Sequence, residues 1–472
     1  MGSLIDHQQH EETTTTATKQ SPVAVVIVPL PAQGHLNQML QLSCLISSYG
    51  LPVYYVGAAI HNRQAQIRIN SLNPQNVAKI HFHDIPIPPF LSPPPNPNSA
   101  NKFPSQLMPA MDATLSLRLP VAAYLQNMAE KFRRVIVVHD SLMSVVVQDV
   151  AEIHNAESYE FICISAFAEI SFICGFLGIP FPLQHPKELP PFEEWMSDEA
   201  NNFAALQSEP SNQRSGNIYN TSRSIEAPYV EFLEREGLKK SKLSWAIGPI
   251  LPISSPNNLE RRHACLEWLD KQEPKSVIYV SFGTTVSLSD EQNNELAHGL
   301  KRSKVKFLWV LRDADKGDVF DGDVRRAELP EGWEERVGGE GMVVREWAPQ
   351  PQILGHPSIG GFMSHCGWNS CIESITMGVA IAAWPMHSDQ PSNAALVADI
   401  LRMGLVVREW KQRLEVVKAS TVESVVRRLM ASEEGDEMQK RAEELGATVR
   451  RATEAGGASR LELDSFIAHI TR

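Results

Sequence analysis

Residues 24–50 read AVVIVPLPAQGHLNQMLQLSCLISSYG. The stretch 24–28 is apolar and mostly β-branched, too short for a helix and without the alternation of a half-exposed strand, so it predicts a buried strand. Pro29, Pro31 and Gly34 then make a loop. Leu36, Met39, Leu40 and Cys44 follow at helical spacing, and Gly50 closes the segment. A buried strand, a glycine-bearing loop and a helix together open a parallel sheet covered on both faces.

Outward from this unit the pattern repeats. Further strands are predicted over 53–56, 79–82, 135–138 and 161–164. Residues 85–98, with Pro86, Pro88, Pro89, Pro93, Pro94, Pro95 and Pro97, form a surface loop, because proline at that density admits neither helix nor ladder. A second series begins after 249–262, where Pro, Ser and Asn cluster as a linker. It has predicted strands over 277–282, 307–311, 342–344, 359–363, 379–383 and 406–407, and helices starting near Ser289, Ser370, Pro391 and Thr421. Ser289-x-x-Gln292 fits a capping box. The expected organisation is a disordered lead-in over 1–22, an N-terminal acceptor-binding domain over 23–248, the linker 249–262, and a C-terminal donor-binding domain over 263–472 whose last helix packs back on the first domain. The fold class is α/β, two facing Rossmann-like domains, with ligands expected between them at the carboxyl ends of the strands.

Composition narrows the function. The 472 residues carry 43 Lys+Arg against 55 Asp+Glu, a net charge of −12, and no long basic run, which excludes a nucleic-acid partner as the default. Six cysteines are scattered without a CxxC pair and are expected to be reduced core thiols of a cytoplasmic protein. Residues 1–22 lack a signal-peptide core, and nothing approaches an uninterrupted membrane span. Asn220-Thr221-Ser222 matches a glycosylation sequon that has no use without a secretory route. A monomer is expected.

Chemistry concentrates in residues 347–390, WAPQPQILGHPSIGGFMSHCGWNSCIESITMGVAIAAWPMHSDQ. Strand 359–363, the turn through His365 and Gly367, and a helix starting at Asn369 or Ser370 form a phosphate seat, since a helix start carries unpaired N–H groups and partial positive charge. Ser370-x-x-Glu373 also fits a plain capping box. Trp347 stands at a strand's carboxyl end, where a nucleobase can stack, and Asp389-Gln390, at another, can grip vicinal hydroxyls. Aromatic ring, phosphate seat and hydroxyl grip describe a nucleotide-sugar site.

This block resembles the signature of plant secondary-product glycosyltransferases, which use UDP-sugars. The likeness also covers Pro31-Ala32-Gln33-Gly34-His35, Trp268-Leu269-Asp270 and Ser281-Phe282-Gly283-Thr284. Within the family the chain is most similar to the zeatin O-glucosyltransferase group, through 34–38, 140–143, 218–223 and 281–285. The resemblance implies a GT-B-type fold and an inverting transfer from UDP-glucose, with no permanent cofactor and no metal. It implies that Trp347 stacks on uracil, that the Ala348 backbone meets its edge, and that Gln350 and Glu373 hold the ribose. Thr284, His365, Asn369 and Ser370 would bind the diphosphate, with Gly367 in the turn, and Trp368, Asp389 and Gln390 would face the sugar. One departure is Gly378-Val379-Ala380, where the family usually has Gly-Val-Pro.

Transfer to an alcohol needs a base. His35, at the end of the first strand's loop, and Asp140, at the end of strand 135–138, can meet across one parallel sheet, and by resemblance they are the catalytic pair. Singly, His35 could be an ordinary helix-start residue and Asp140 an N-cap before Leu142. The acceptor is a hydroxylated small molecule, zeatin or dihydrozeatin by subgroup, with a flavonoid or other phenol as the alternative. Its expected walls are 85–98, 103–110 and 161–182. Rival classes lack their marks. His81-x-His83 has no zinc motif beside it, no G-x-S-x-G occurs, and the first loop has one glycine where a dinucleotide fingerprint needs three. A catalytically silent binding relative would lack the base or the phosphate residues.

Overall fold

A computed structural model describes residues 23–67, 72, 74–99, 103–183, 189, 191–235, 243–251, 263–322 and 325–472. The lead-in 1–22 and all of the linker beyond 251 lie outside these.

β1 (Ala24–Val28), β2 (Val53–Ala58), β3 (Ile80–Ile85), β4 (Val135–Asp140), β5 (Ala156–Ile162), β6 (Gly216–Tyr219) and β7 (Ser244–Ala246) form one sheet in the order β3-β2-β1-β4-β5-β6-β7. Every neighbouring pair is parallel. β8 (Val277–Ser281), β9 (Lys306–Val310), β10 (Gly341–Val344), β11 (Ile359–Ser364), β12 (Ile381–Ala383) and β13 (Gly404–Val406) form the second, also wholly parallel, in the order β10-β9-β8-β11-β12-β13. The helices that matter to the site are α1 (Gln33–Ser47), α2 (Ala166–Leu177), α3 (Arg223–Arg235), α4 (Asp290–Ser303), α5 (Trp368–Met377), α6 (Gln390–Ala395), α7 (Glu433–Thr453) and α8 (Ala458–Thr471).

The continuous apolar strands are explained by burial on both faces. Val25 and Ile27 of β1 pack with Leu36, Met39 and Leu40 of α1, while Ala24, Val26 and Val28 pack with Val121 and Leu125 in the opposite layer. In the second sheet Ile278 and Val280 face Leu296 and Leu300 of α4, and Val277 and Tyr279 face Leu269 and Ile353. α8 crosses to the first sheet, where Leu463, Phe466, Ile467 and Ile470 join the core of β1 and α1. Arg134 donates to the carbonyls of His469 and Ile470 at 3.0 Å, satisfying the end of that helix.

Several strands differ from their sequence reading. β5 ends at Ile162, not Ile164, and begins five residues earlier than expected, at Ala156. Glu157, Ser158 and Glu160 hid it; Glu160 is a tolerated strand residue because the buried guanidinium of Arg214 lies 2.8 Å away. β6 and β7, of four and three residues, fall below the length at which periodicity speaks. β12 is only Ile381–Ala383, since Gly378, at φ 73°, ends α5 in a left-handed cap and the chain must then recover. Ser289 does cap α4, but Gln292 does not reciprocate: its amide pairs with the Val417 backbone at 2.9 and 2.8 Å. The Ala380 N–H donates to Gln439 Oε1 at 3.3 Å, a bond that the family's usual proline lacks the hydrogen to make.

Candidate active site

In both sheets the strand order reverses once, between β1 and β4 and between β8 and β11. At such a switch point the loops leaving the two central strands part and open a crevice. His35 follows β1 and Asp140 ends β4; Thr284 follows β8 and His365 follows β11. The two crevices share one cavity of about 1590 Å³ lined from both halves of the chain. Every expected site residue except Asp140 lines it.

Asp140 lies behind His35, fully buried. His35 Nδ1 and Asp140 Oδ2 are 2.6 Å apart, and Asp140 Oδ1 accepts the Leu142 N–H at 2.9 Å. The N-cap and the histidine partner are therefore the same residue, one oxygen for each. Burial disfavours the imidazolium, but the charge and hydrogen bond of Asp140, with a smaller contribution from Asp389, raise His35 above its ordinary value of 6.5. Burial likewise opposes the Asp140 carboxylate, and His35, Leu142 and Cys163 outweigh it, holding the group below its ordinary range.

The donor half is built around α5. The helix starts at Trp368, with Gly367 as its N-cap. Ser370 is therefore inside the first turn, not its cap, and Glu373 is not a capping-box partner: its carboxylate takes the Gln350 amide at 2.8 Å, and Ser370 Oγ takes the same amide at 3.1 Å. Burial raises Glu373 to about 7, opposed by that hydrogen bond. His365 is held neutral by burial, lowered to about 4, and its Nδ1 is a buried atom with no partner. Its ring sits so close to Gly283 and Gly367 that a Cβ at either would fall 2.6–2.7 Å from it, and Gly283 has φ 74°. Trp347 is 42 % exposed, the reverse of a core tryptophan, with the Arg312 guanidinium 5.6 Å from its ring centre.

The sugar-facing candidates are tied to the protein itself. Trp368 is buried and its Nε1 donates to the Asn220 carbonyl at 2.7 Å, while Asn369 Nδ2 donates to the Gly34 carbonyl at 2.8 Å, both joining the second sheet's residues to the first's. Gln390 Oε1 accepts the N–H groups of Met386 and His387 at 2.9 and 3.2 Å. Burial raises Asp389 to about 6, against the Asn393 amide 2.7 Å away.

The sequence reading did not single out Arg312, His387 or Cys163. His387 lies 3.2 Å from Thr285 Oγ1, and Cys163 Sγ lies 3.2 Å from Asp140 Oδ2. Cys163 and Arg312 follow strand ends, the signal that identified Asp140. Among the described residues, the one grouping of three candidate metal-ligating side chains is His35, Asp140 and Cys163, with ligand atoms within 4.8 Å of one another. Hydrogen bonds already join these atoms, with Asp140 Oδ2 shared between His35 Nδ1 and the Cys163 thiol.

Residues 21–252 match the family model described as glycosyltransferase, N-terminal domain, and residues 260–424 match that of UDP-glucoronosyl and UDP-glucosyl transferase. A zeatin O-glucosyltransferase of Phaseolus lunatus is 52 % identical over 96 % of this chain and 98 % of its own length. A zeatin O-xylosyltransferase of Phaseolus vulgaris is 51 % identical over 96 % and 99 %. Among solved structures, Phytolacca americana UGT2 complexed with UDP-2fluoro-glucose and pterostilbene superposes with a TM-score of 0.75 at 24 % identity, covering 96 % of this chain and 100 % of that one, a likeness of fold.

Proposed function

The chain belongs to the plant UDP-glycosyltransferase family, and from that footing we propose that it transfers glucose from UDP-glucose to the side-chain hydroxyl of zeatin or dihydrozeatin, giving the O-β-glucoside. The observation that carries the reaction is the 2.6 Å contact of His35 with Asp140 on the wall of a cavity whose other wall holds the start of α5. With Nδ1 donating to Asp140, Nε2 carries the free lone pair. It takes the acceptor's hydroxyl proton as that oxygen bonds to the anomeric carbon; the bond from that carbon to the diphosphate breaks, and UDP leaves. One displacement inverts the α-linked donor to a β-glucoside. The start of α5, with Thr284, His365, Asn369 and Ser370, receives the charge that develops on the diphosphate. Trp347, Ala348, Gln350 and Glu373 hold the nucleoside, and Trp368, Asp389 and Gln390 position the hexose.

Near-equal identity to a glucosyl- and a xylosyltransferase leaves the sugar to the site itself, and the reading of glucose rests on the family resemblance, in which a glutamine at the end of the block, Gln390 here, goes with UDP-glucose. The acceptor reading rests on those two relatives and on a pocket walled by Phe172, Phe176, Met196 and Phe203, suited to a planar, mostly apolar alcohol. No described helix is long and apolar enough to cross a membrane. The six cysteines are free and buried, which supports a reducing compartment, and we read the protein as a cytoplasmic monomer. The experiment is an acceptor panel of zeatin, dihydrozeatin, a flavonol and a simple phenol with UDP-glucose or UDP-xylose, read by mass gain and anomeric configuration. A β-linked hexose on zeatin supports the reading. A pentose gain, an α-linkage, or turnover of the flavonol alone would overturn it.

A further inference from the structure

Cys163 stands where the mechanism above assigns nothing. It is the first residue beyond β5, lines the cavity, and is 4 % exposed. Its Sγ lies 3.2 Å from Asp140 Oδ2, the same oxygen that meets His35 Nδ1 at 2.6 Å. The thiol is held there from its main chain. Its carbonyl accepts Gln38 Nε2 at 2.8 Å, Gln38 sits one helical turn beyond His35 on α1, and Gln38 Oε1 accepts Asn220 Nδ2 at 2.7 Å. Asn220 is anchored in turn by Ile250 N–H at 2.8 Å and by Trp368 Nε1 at 2.7 Å. A thiol filling apolar space needs no such frame, and one aimed at a buried carboxylate oxygen is a proton donor to it. Burial and the adjoining carboxylate push the thiol well above its ordinary value, so it keeps its hydrogen at any working pH.

We propose that Cys163 is a positioning residue that shares Asp140 Oδ2 with His35 and so limits how much of the carboxylate's charge the imidazolium receives. The proposal rests on the reading of His35 as base and Asp140 as its partner. The other groups facing this pair are Asp389, from the loop after β12, raised by burial to about 6 and acting on His35 in the same sense as Asp140; His139 of β4, which burial holds below its ordinary value and whose Nδ1 meets the Asp140 carbonyl at 2.9 Å; and the buried, neutral Tyr55 of β2, which donates to the Leu36 carbonyl at 3.2 Å. All three are present in the wild type and in every Cys163 variant alike, so a difference between variants reads the thiol. Without the thiol hydrogen, more negative charge remains on Oδ2, the protonated imidazole is better held, and His35 gives up its proton only at higher pH.

The test is kcat/KM against pH from about 5 to 9, with UDP-glucose and zeatin, for the full-length chain and its Cys163→Ala, Cys163→Val and Cys163→Ser variants. Cys163→Val keeps bulk without a donor and carries the test if Cys163→Ala fails to fold. Loss of the donor should move the acid limb up by about half to one pH unit, about a 3- to 10-fold loss on the acid side that fades at high pH. Cys163→Ser, which restores an O–H donor, should return the limb to the wild-type position, and UDP affinity should be unchanged throughout. An acid limb that stays in place or moves down without the donor, or a pH-independent loss shared by all three variants, would overturn the proposal. His35→Ala run alongside separates the two readings: normal turnover there removes the base assignment, whereas a dead His35→Ala with an unmoved Cys163→Ala limb removes only the role of Cys163.

Discussion

At the scale of single residues, Asp140 meets two demands because a carboxylate has two oxygens. One closes the turn after β4 and the other holds the histidine, so the geometry of the proposed base is fixed by the same residue that ends the strand. The consequence is a pH dependence of known sign. The base must be neutral, and because Asp140 and Asp389 outweigh the effect of burial, His35 takes its proton above 6.5. The rate should therefore rise with pH through a midpoint above 6.5 in wild type, and Asp140→Asn should lower that midpoint; a wild-type midpoint below 6.5 would contradict it. His35 and Asp140 were legible in the sequence because each follows an apolar strand, and strand ends are where such sheets keep their chemistry. Cys163 was not, and the reason is local. The expected strand over 161–164 made it a strand-interior residue, whereas the strand ends at Ile162, its earlier half disguised by Glu157 and Glu160.

At the scale of elements, the proposed donor seat is a strand, a turn and a helix, and a glycine in each of two neighbouring turns opens the space at its centre. Gly283, in the loop after β8, and Gly367, at the start of α5, leave room for the neutral His365 ring between them. Gly283→Ala would place a Cβ 2.6 Å from His365 and force a left-handed conformation on alanine, so UDP affinity should fall at least about tenfold. Gly50→Ala serves as the control, since it has the same handedness, at φ 79°, with nothing within 4 Å, and should leave affinity unchanged. Calorimetric titration with UDP checks both; equal affinities in all three proteins would show that the ring position does not matter. The sequence located this unit but missed its start. The hydroxyl of Ser370 suggested a cap, yet the cap is Gly367, whose contribution is a backbone conformation that composition does not reveal. The short strands β6 and β7 escaped for the same reason: they are specified by their neighbours in the sheet, not by their own residues.

At the scale of the whole molecule, the cleft is held by contacts that run across it. Asn369 reaches the Gly34 carbonyl, Trp368 the Asn220 carbonyl, and Ser165, the N-cap of α2, donates to Asn393 of α6 at 2.7 Å. α8 adds an apolar clasp. Phe466 is wholly buried, with ring centres 5.5 Å from Tyr159 of β5 and 5.2 Å from Trp245 of β7. Phe466→Ala should lower stability by about 3–5 kcal/mol in denaturant unfolding, because it removes a wholly buried ring and leaves a cavity beside Tyr159 and Trp245. A loss below about 1 kcal/mol would mean that α8 is peripheral to the first sheet.

The proposed reaction divides across that cleft, with donor capture on the second sheet and proton removal on the first. His35→Ala isolates the second function from the first. The measurement is its turnover of zeatin with UDP-glucose beside its affinity for UDP, at a pH above the wild-type midpoint. Turnover should fall at least about a thousandfold, with UDP affinity within about twofold of wild type. Retained turnover, or a loss of UDP binding in step with the loss of rate, would contradict it.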